Sequence, residues 1–286
     1  MENSFIKKIS NTELTKTQVR IADYIAKNQK RVFGMTAQEV GREVGVSDAS
    51  VIRFSRTLGY CGFTDMKEHL RQEYRENNEK IGKRSLFDRF VLQETKYNQE
   101  NNSSNEMTKL MGINLETSLR QNEEAVYEKV ASRILKARRK VIIGLRGGKG
   151  CAVQFGRLLG HVTENVSIIT EESHDMLAGL AELNEQDVVL FLNCSRYYKI
   201  DGKIADIISG RKVACFLIAD SMSSPVTKYA DEIMLAETEH CGFFHSMIGI
   251  MGILEYLLIL ICRREPEKFR AKLKERDDIL AEYRKQ

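Results

Sequence analysis

The sequence predicts two domains: an all-α helix-turn-helix unit, then an α/β domain built on a doubly wound parallel sheet. Three observations carry that prediction. Residues 36–63, TAQEVGREVGVSDASVIRFSRTLGYCGF, have the rhythm of a helix, a tight turn and a second helix. From residue 140 onward, short β-branched runs alternate with helical stretches across short loops, the pattern of a parallel sheet covered on both faces. Between the two lies a polar, Asn-rich stretch with little to bury. A chain of 286 residues has the length for two cores. The expected limits are 1–76 for the helical domain, 77–105 for a linker and 106–286 for the α/β domain.

The helical domain opens with a helix capped by Thr15 or Thr17 and running to about Asn28, with Val19, Ile21, Ala22, Ile25 and Ala26 on its apolar side. Residues 31–35 connect, with Val32 and Phe33 as core plugs. Thr36 caps the next helix, which sets Val40 and Val44 on one face at i, i+4. Gly45 suits a left-handed turn, and Ser47 stands where an N-cap belongs. In the following helix Val51, Ile52, Ser55 and Leu58 face inward, while Asp48, Ser50, Arg53 and Thr57 fall on or beside the other face. Gly59 ends it, Tyr60 and Phe63 turn into the core, and a last helix runs from Thr64 or Asp65 to about Arg75. The arrangement gives one bracing helix and one that offers short polar groups and arginine to a groove. The plainer reading is an ordinary helical hairpin.

The linker holds one apolar-faced segment, LFDRFVLQ at 86–93, that could swap or pair between subunits. Two helices follow over 106–139, the first led by Met107, Leu110, Met111, Ile113 and Leu115, the second by Val126, Val130, Ile134 and Leu135. Strands are expected at 140–144, 166–170, 187–193, 212–220 and 232–235, with helices between them. Ser224 and Pro225 open a helix to about Tyr229. Residues 247–262, MIGIMGILEYLLILIC, could pass for a membrane span but are short for one and carry Glu255; a buried helix at a core or dimer interface is expected instead. The charged tail from 267 carries a stripe of Phe269, Leu273, Ile279, Leu280 and Tyr283.

The net charge is +4, and residues 1–76 hold 13 Lys and Arg against 10 Asp and Glu, a local +3 that suits phosphate contacts. Six scattered cysteines with no Cys-x-x-Cys pair point to reduced thiols in a cytoplasmic protein. MENSFIKKIS lacks the apolar core of a secretory signal. No spaced cluster suggests a metal site, and no cofactor is expected.

Ligands of such a sheet bind beyond the carboxyl ends of its strands. Two loops there stand out. In the first, Gly144 to Gly150, Arg146 and Lys149 supply charge while Gly147 and Gly148 let backbone N–H groups approach an anion. It fits neither a Walker loop nor a dinucleotide fingerprint. The second is Asn193-Cys194-Ser195-Arg196-Tyr197-Tyr198. Arg146 and Arg196 together could hold a phosphate or carboxylate; alternatively, Arg196 pairs with an acidic residue of the protein and the pocket is vestigial.

LTKTQVRIADYI, MTAQEVGREVGVSDASVIRFSRTLGYCGFTDMK and the strand-loop pattern further on resemble the RpiR-type transcriptional regulators, which join a helix-turn-helix domain to a sugar isomerase (SIS) domain. The resemblance implies a DNA-binding regulator and an SIS-type α/β fold. Ser47, Ser50 and Arg53 would meet phosphates and base edges, Ala49 a thymine methyl, and Arg56 with nearby lysines the operator backbone, Thr36 and Asp48 also counting among the DNA-binding residues. SIS domains usually carry S-x-S-G-x-T in the second loop. Here only Ser195 is kept: Asn193, Arg196 and Tyr198 replace the first serine, the glycine and the threonine, and Gly148 stands where the first loop usually has serine. His245 and Ser246 lie where a partner subunit often completes the pocket. The resemblance thus implies a homodimer, open to pairing further into a tetramer, with duplex operator DNA and a small anionic effector as partners, no membrane and no catalysis. Two other readings are an aldose-ketose phosphate isomerase using Glu239, His240 or His245 as base, and a sugar-phosphate sensor that acts through protein partners.

Overall fold

The computed structural model describes residues 4–82, 87, 88, 90, 91, 104–240, 242 and 244–281. These fall into two units, Met1–Arg89 and Phe90–Gln286.

The first unit is helical: α1 (Ser4–Ser10), α2 (Lys16–Lys27), α3 (Gln29–Phe33), α4 (Ala37–Val44), α5 (Asp48–Thr57) and α6 (Phe63–Gly82). The local signals act where the sequence put them. Thr15 and Thr36 form reciprocal capping boxes with Gln18 and Glu39. Gly45 ends α4 at φ 71, Gly59 follows α5 at φ 84, and the Ser47 hydroxyl accepts the Ser50 N–H at 3.2 Å. Gly41 marks the crossing of α4 and the turn: a Cβ there would stand 2.7 Å from the Val46 carbonyl oxygen. Val32, Phe33, Val40, Val44, Val51, Leu58, Tyr60 and Phe63 close the core as expected.

Four features of this unit differ from the periodicity reading. Val19 and Ala26 are exposed, because the buried stripe of α2 narrows to Ile21, Ala22 and Ile25. Phe54 is fully buried and meets the ring of Phe5 edge-on at 6.5 Å between centroids, so α1 belongs to the core. Residues 29–33 connect as a helix, and α6 runs on to Gly82. Segment 86–93 lies largely outside the described residues; of it, Phe87, Phe90 and Val91 are exposed.

The second unit holds α7 (Ser104–Arg120), α8 (Glu124–Lys136), β1 (Lys140–Gly144), α9 (Lys149–Val162), β2 (Val166–Ile169), α10 (His174–Ala181), β3 (Val188–Asn193), α11 (Lys199–Gly210), β4 (Ala214–Ala219), β5 (Glu232–Leu235), α12 (Ile248–Arg264) and α13 (Pro266–Ala281). The strands pair in parallel in the order β2-β1-β3-β4-β5. Lys140 lies opposite Val166 and Val188, Val188 opposite Ala214, and Phe216 opposite Glu232. Alternate strand residues feed two cores. Ile142, Leu190 and Phe216 meet α8, α9, α12 and Phe269 of α13; Ile143, Phe191 and Leu217 meet α10 and α11. This is the doubly wound sheet that alternation of strands and helices demands. Among the described residues no helix is long and apolar enough to cross a membrane, and α12 is largely buried.

Two expectations are corrected here. Residues 227–229 form a 3-10 turn in place of a helix from Ser224. On α7 the buried side chains are Asn114, Thr117 and Ser118, while Met107, Leu110, Met111, Ile113 and Leu115 are only partly covered. The reason is the neighbour: α7 packs on backbone polar groups between β5 and α12. Asn114 donates to the Glu239 carbonyl at 2.7 Å, and Ser118 accepts the Glu237 N–H at 2.8 Å. Buried backbone groups require such partners.

The amino ends of β1 and β3 are tied by one buried carboxylate. Asp187 accepts both nitrogens of the Arg138 fork at 2.9 and 2.7 Å, the Arg139 N–H at 3.1 Å and the Asn184 N–H at 2.9 Å. Burial pushes its pKa up, but these donors outweigh burial and hold it below the ordinary value. A depressed folded pKa gives stability that is present above the unfolded value, near 4, and lost as pH falls through the folded one. Asp187→Asn is therefore expected to cost about 2 kcal/mol at neutral pH, with the gap to the native protein closing on acidification below about pH 4; denaturant melts across pH check both. Gly41→Ala is expected to destabilise the first unit by about 1–3 kcal/mol through overpacking, read as a lowered transition in calorimetry of the full chain.

Candidate functional site

The outer face of α5 is presented by its own cap and by its neighbours. Val51, Phe54, Ser55 and Leu58 anchor the inner face, leaving Asp48, Ala49, Arg53, Arg56 and Thr57 exposed. Ser47 and Ser50 hydroxyls lie 2.9 Å apart, and Arg53 donates to the Ser50 hydroxyl at 3.3 Å. Gln18 of α2 donates to Thr57 at 2.9 Å, and Arg20 donates to the Val44 carbonyl at the end of α4. Arg56 reaches the Cys61 carbonyl at 3.5 Å. The Thr36 hydroxyl is engaged with Glu39, accepting its N–H at 3.2 Å. The result is a braced helix with short polar groups and two arginines outward, the form that enters a major groove.

In the second unit the carboxyl ends of the strands gather a different set. Gly144 ends β1 where a Cβ would come within 2.5 Å of the Gly148 carbonyl oxygen, so the chain folds back tightly into α9. Gly148 is itself pressed to Leu192, whose carbonyl oxygen would lie 3.1 Å from an added Cβ. Gly147 is exposed, with Met247 at the start of α12 beside it. Arg146 takes φ 51, a left-handed conformation costing a side-chain-bearing residue about 1–2 kcal/mol. Its guanidinium lies 4.3 Å from the Tyr198 ring centroid and donates to Glu172 and to Asp201. Asp201 is fully buried and also accepts the Tyr198 N–H at 2.9 Å. Lys149 donates to Glu171 at 2.7 Å.

The second loop turns on Asp220, just past β4. Its carboxylate accepts the Ser195 N–H at 3.1 Å and the Tyr197 hydroxyl at 2.5 Å. Burial, with the Asp220 charge next, pushes the Tyr197 phenol well above its ordinary value, so it stays a donor. Burial likewise holds the Cys194 thiol protonated. Asn193 is buried and its side-chain oxygen accepts the Ser224 hydroxyl at 2.7 Å. Arg196 is exposed and has no hydrogen bond or ion pair among the described residues. Ser246 is buried, its N–H donating to the Thr238 carbonyl at 2.8 Å, and His245 precedes it at partial exposure.

Sheet order thus brings Arg146, Tyr198 and Asp201 together, and it sets Ser195 and Tyr197 against Asp220. It turns Asn193 inward, to Ser224. The acidic partners Glu171, Glu172, Asp201 and Asp220 were missed by sequence reasoning. The available signal was position: Glu171 and Glu172 follow β2, and Asp220 follows β4, on the edge where such folds bind ligands.

Comparison with known proteins fits both units. Residues 5–77 match the family described as helix-turn-helix domain, rpiR family, and residues 133–260 match the SIS domain. The chain belongs to the RpiR-type transcriptional regulators. A Haemophilus influenzae protein named as an uncharacterized HTH-type transcriptional regulator is 25% identical over 251 residues, 87% of this chain and 84% of that one. The sugar isomerase domain of an RpiR transcription factor from Sphaerobacter thermophilus superposes with TM-score 0.58 at 25% identity, covering 60% of this chain and 97% of that one. The Vibrio vulnificus NanR protein complexed with ManNAc-6P shares the fold across 98% of this chain and 99% of its own, with TM-score 0.55 and 17% identity.

In this regulator, Arg146→Gly would relieve backbone strain worth about 1 kcal/mol while leaving Asp201 buried without its cation, a loss of about 3 kcal/mol. A net destabilisation is expected. Adding Asp201→Asn should recover most of it, and a double-mutant cycle from denaturant melts measures the coupling.

Proposed function

We propose that the regulator reads an operator half-site with α5 and responds to a small anionic metabolite, a phosphorylated sugar of carbohydrate metabolism, at the carboxyl edge of its sheet. The observation that carries the DNA reading is the exposed outer face of α5 over a fully buried inner one. On this reading Ser47, Ser50 and Arg53 meet phosphates and base edges, Ala49 a thymine methyl, and Thr36, Asp48 and Arg56 border the backbone contacts. Residues 1–76 form the reading head, 77–105 the connection and 106–286 the effector and dimerisation domain. A homodimer sets two heads on a near-palindrome. The effector acts by differential affinity for the two operator-binding states.

The effector reading rests on Arg146, Lys149 and Arg196 standing on adjacent loops of that edge, with Gly147, Gly148, Ser195 and Tyr197 beside them and His245 and Ser246 at the entry to α12. The NanR complex with ManNAc-6P supports a sugar phosphate as the ligand class. On this reading the protein works in the cytoplasm and is not an enzyme, which the rpiR-family helix-turn-helix over residues 5–77 supports. Product formation from hexose phosphates would overturn that part.

Operator selection on random duplexes with the full chain tests the first half. Arg53→Ala should then weaken binding by about 1–3 kcal/mol at moderate salt; unchanged affinity would mean that another helix reads the DNA. A thermal-shift panel of hexose 6-phosphates, sugar acids and inorganic phosphate tests the second. A raised midpoint that disappears in Arg196→Ala is expected. A flat panel would remove the effector site.

A further inference from the structure

Two of the three cations at the sheet edge are already paired within the protein. Arg146, on the loop after β1, and Lys149, the first residue of α9, are held by two consecutive carboxylates, Glu172 and Glu171, on the connection from β2 to α10. The partners of Arg146 are not equivalent. Asp201 is fully buried and holds the Tyr198 N–H at the start of α11, so it cannot leave without opening that helix. Glu172 is 44% exposed and Glu171 77%. Such solvated pairs are weak and screened by salt. Arg146 therefore has one permanent counter-ion and one removable one, and Lys149 has a removable one.

Resting on the reading of this edge as the effector site, we propose that Glu171 and Glu172 are its specificity-determining residues. They mask Lys149 and Arg146 as internal counter-ions, and the effector enters by exchanging its own anionic group for both. The two carboxylates are adjacent in the chain, so they leave as one unit. A phosphomonoester carries close to two charges at neutral pH, with three strong acceptor oxygens, and replaces both. A sugar carboxylate brings one charge and leaves one cation unsatisfied. The site accordingly selects phosphate esters over sugar acids. The released segment leads through Ser173, the N-cap of α10, and borders a groove of about 400 Å³ lined by Thr170, Glu171, Met176 and Leu180.

The test is isothermal titration of the full chain with glucose 6-phosphate and with gluconate, for the native protein and for Glu171→Gln/Glu172→Gln. Both glutamates are solvated, and a thermal melt confirms that the variant is folded. The native protein should favour the phosphate by about tenfold or more, a difference of 1.4 kcal/mol or more. In the variant the gluconate affinity should rise and the preference should shrink. A preference that is unchanged in the variant, or both affinities falling together, would overturn the proposal while leaving the effector site standing. Inorganic phosphate separates the remaining cases. If the native chain is silent to every sugar phosphate, the effector reading fails; phosphate binding gained only in the variant would still establish the masking, and a variant silent to phosphate would sink the masking as well.

Discussion

The pairing of Arg146 with buried Asp201 is the interaction on which the ligand edge of the second unit depends. It links the loop after β1 to the first turn of α11, across a strand order that sets β1 beside β3. Asp201 reaches back to the Tyr198 N–H as an N-terminal carboxylate should, and Tyr198 lies over the Arg146 guanidinium. Four constraints meet there: a left-handed backbone at Arg146, a buried charge, a helix cap and a cation–π contact. They support one another, because a buried carboxylate without a partner is costly.

The opposite ends of the strands are secured by different means. Asp187 gathers the Arg138 fork and two backbone N–H groups, so a buried charge is tolerated because every lone pair direction has a donor. At the far edge, β5 is the last strand of the sheet among the described residues. The side chain of Asn122 takes that place: its oxygen accepts the Leu235 N–H at 2.7 Å and its nitrogen donates to the Leu235 carbonyl at 2.9 Å. An edge strand finished by an amide cannot recruit another chain at that residue. The same logic explains α7, whose buried polar side chains serve the backbone between β5 and α12.

Most of the first unit was legible because its signals are local. Thr15, Thr36 and Ser47 cap helices within three residues, Gly45 and Gly59 take the turns, and Val40, Val44 and Val51 follow helical spacing. The misses there are tertiary. Phe5 and Phe54 pack across 49 positions of chain, and Val19 is left exposed. In the second unit, short apolar runs between helical stretches gave all five strands within a residue or two. The side-chain register of α7 was not legible, since its buried Asn114 and Ser118 serve backbone groups between β5 and α12, a demand that apolar periodicity does not record.

The sequence by itself determined the two-domain plan, the strand and helix alternation, the helix-turn-helix and the two loops that flank the ligand edge. Each of these follows from contacts within a few residues, where backbone geometry and residue type leave few choices. Only the tertiary structure decided which charges stand free. Arg146 meets Asp201 across 55 positions and Glu172 across 26, while Arg196, two residues before Tyr198, meets neither. Ion pairing depends on distance and burial, which the order β2-β1-β3-β4-β5 sets and which no spacing along the chain encodes.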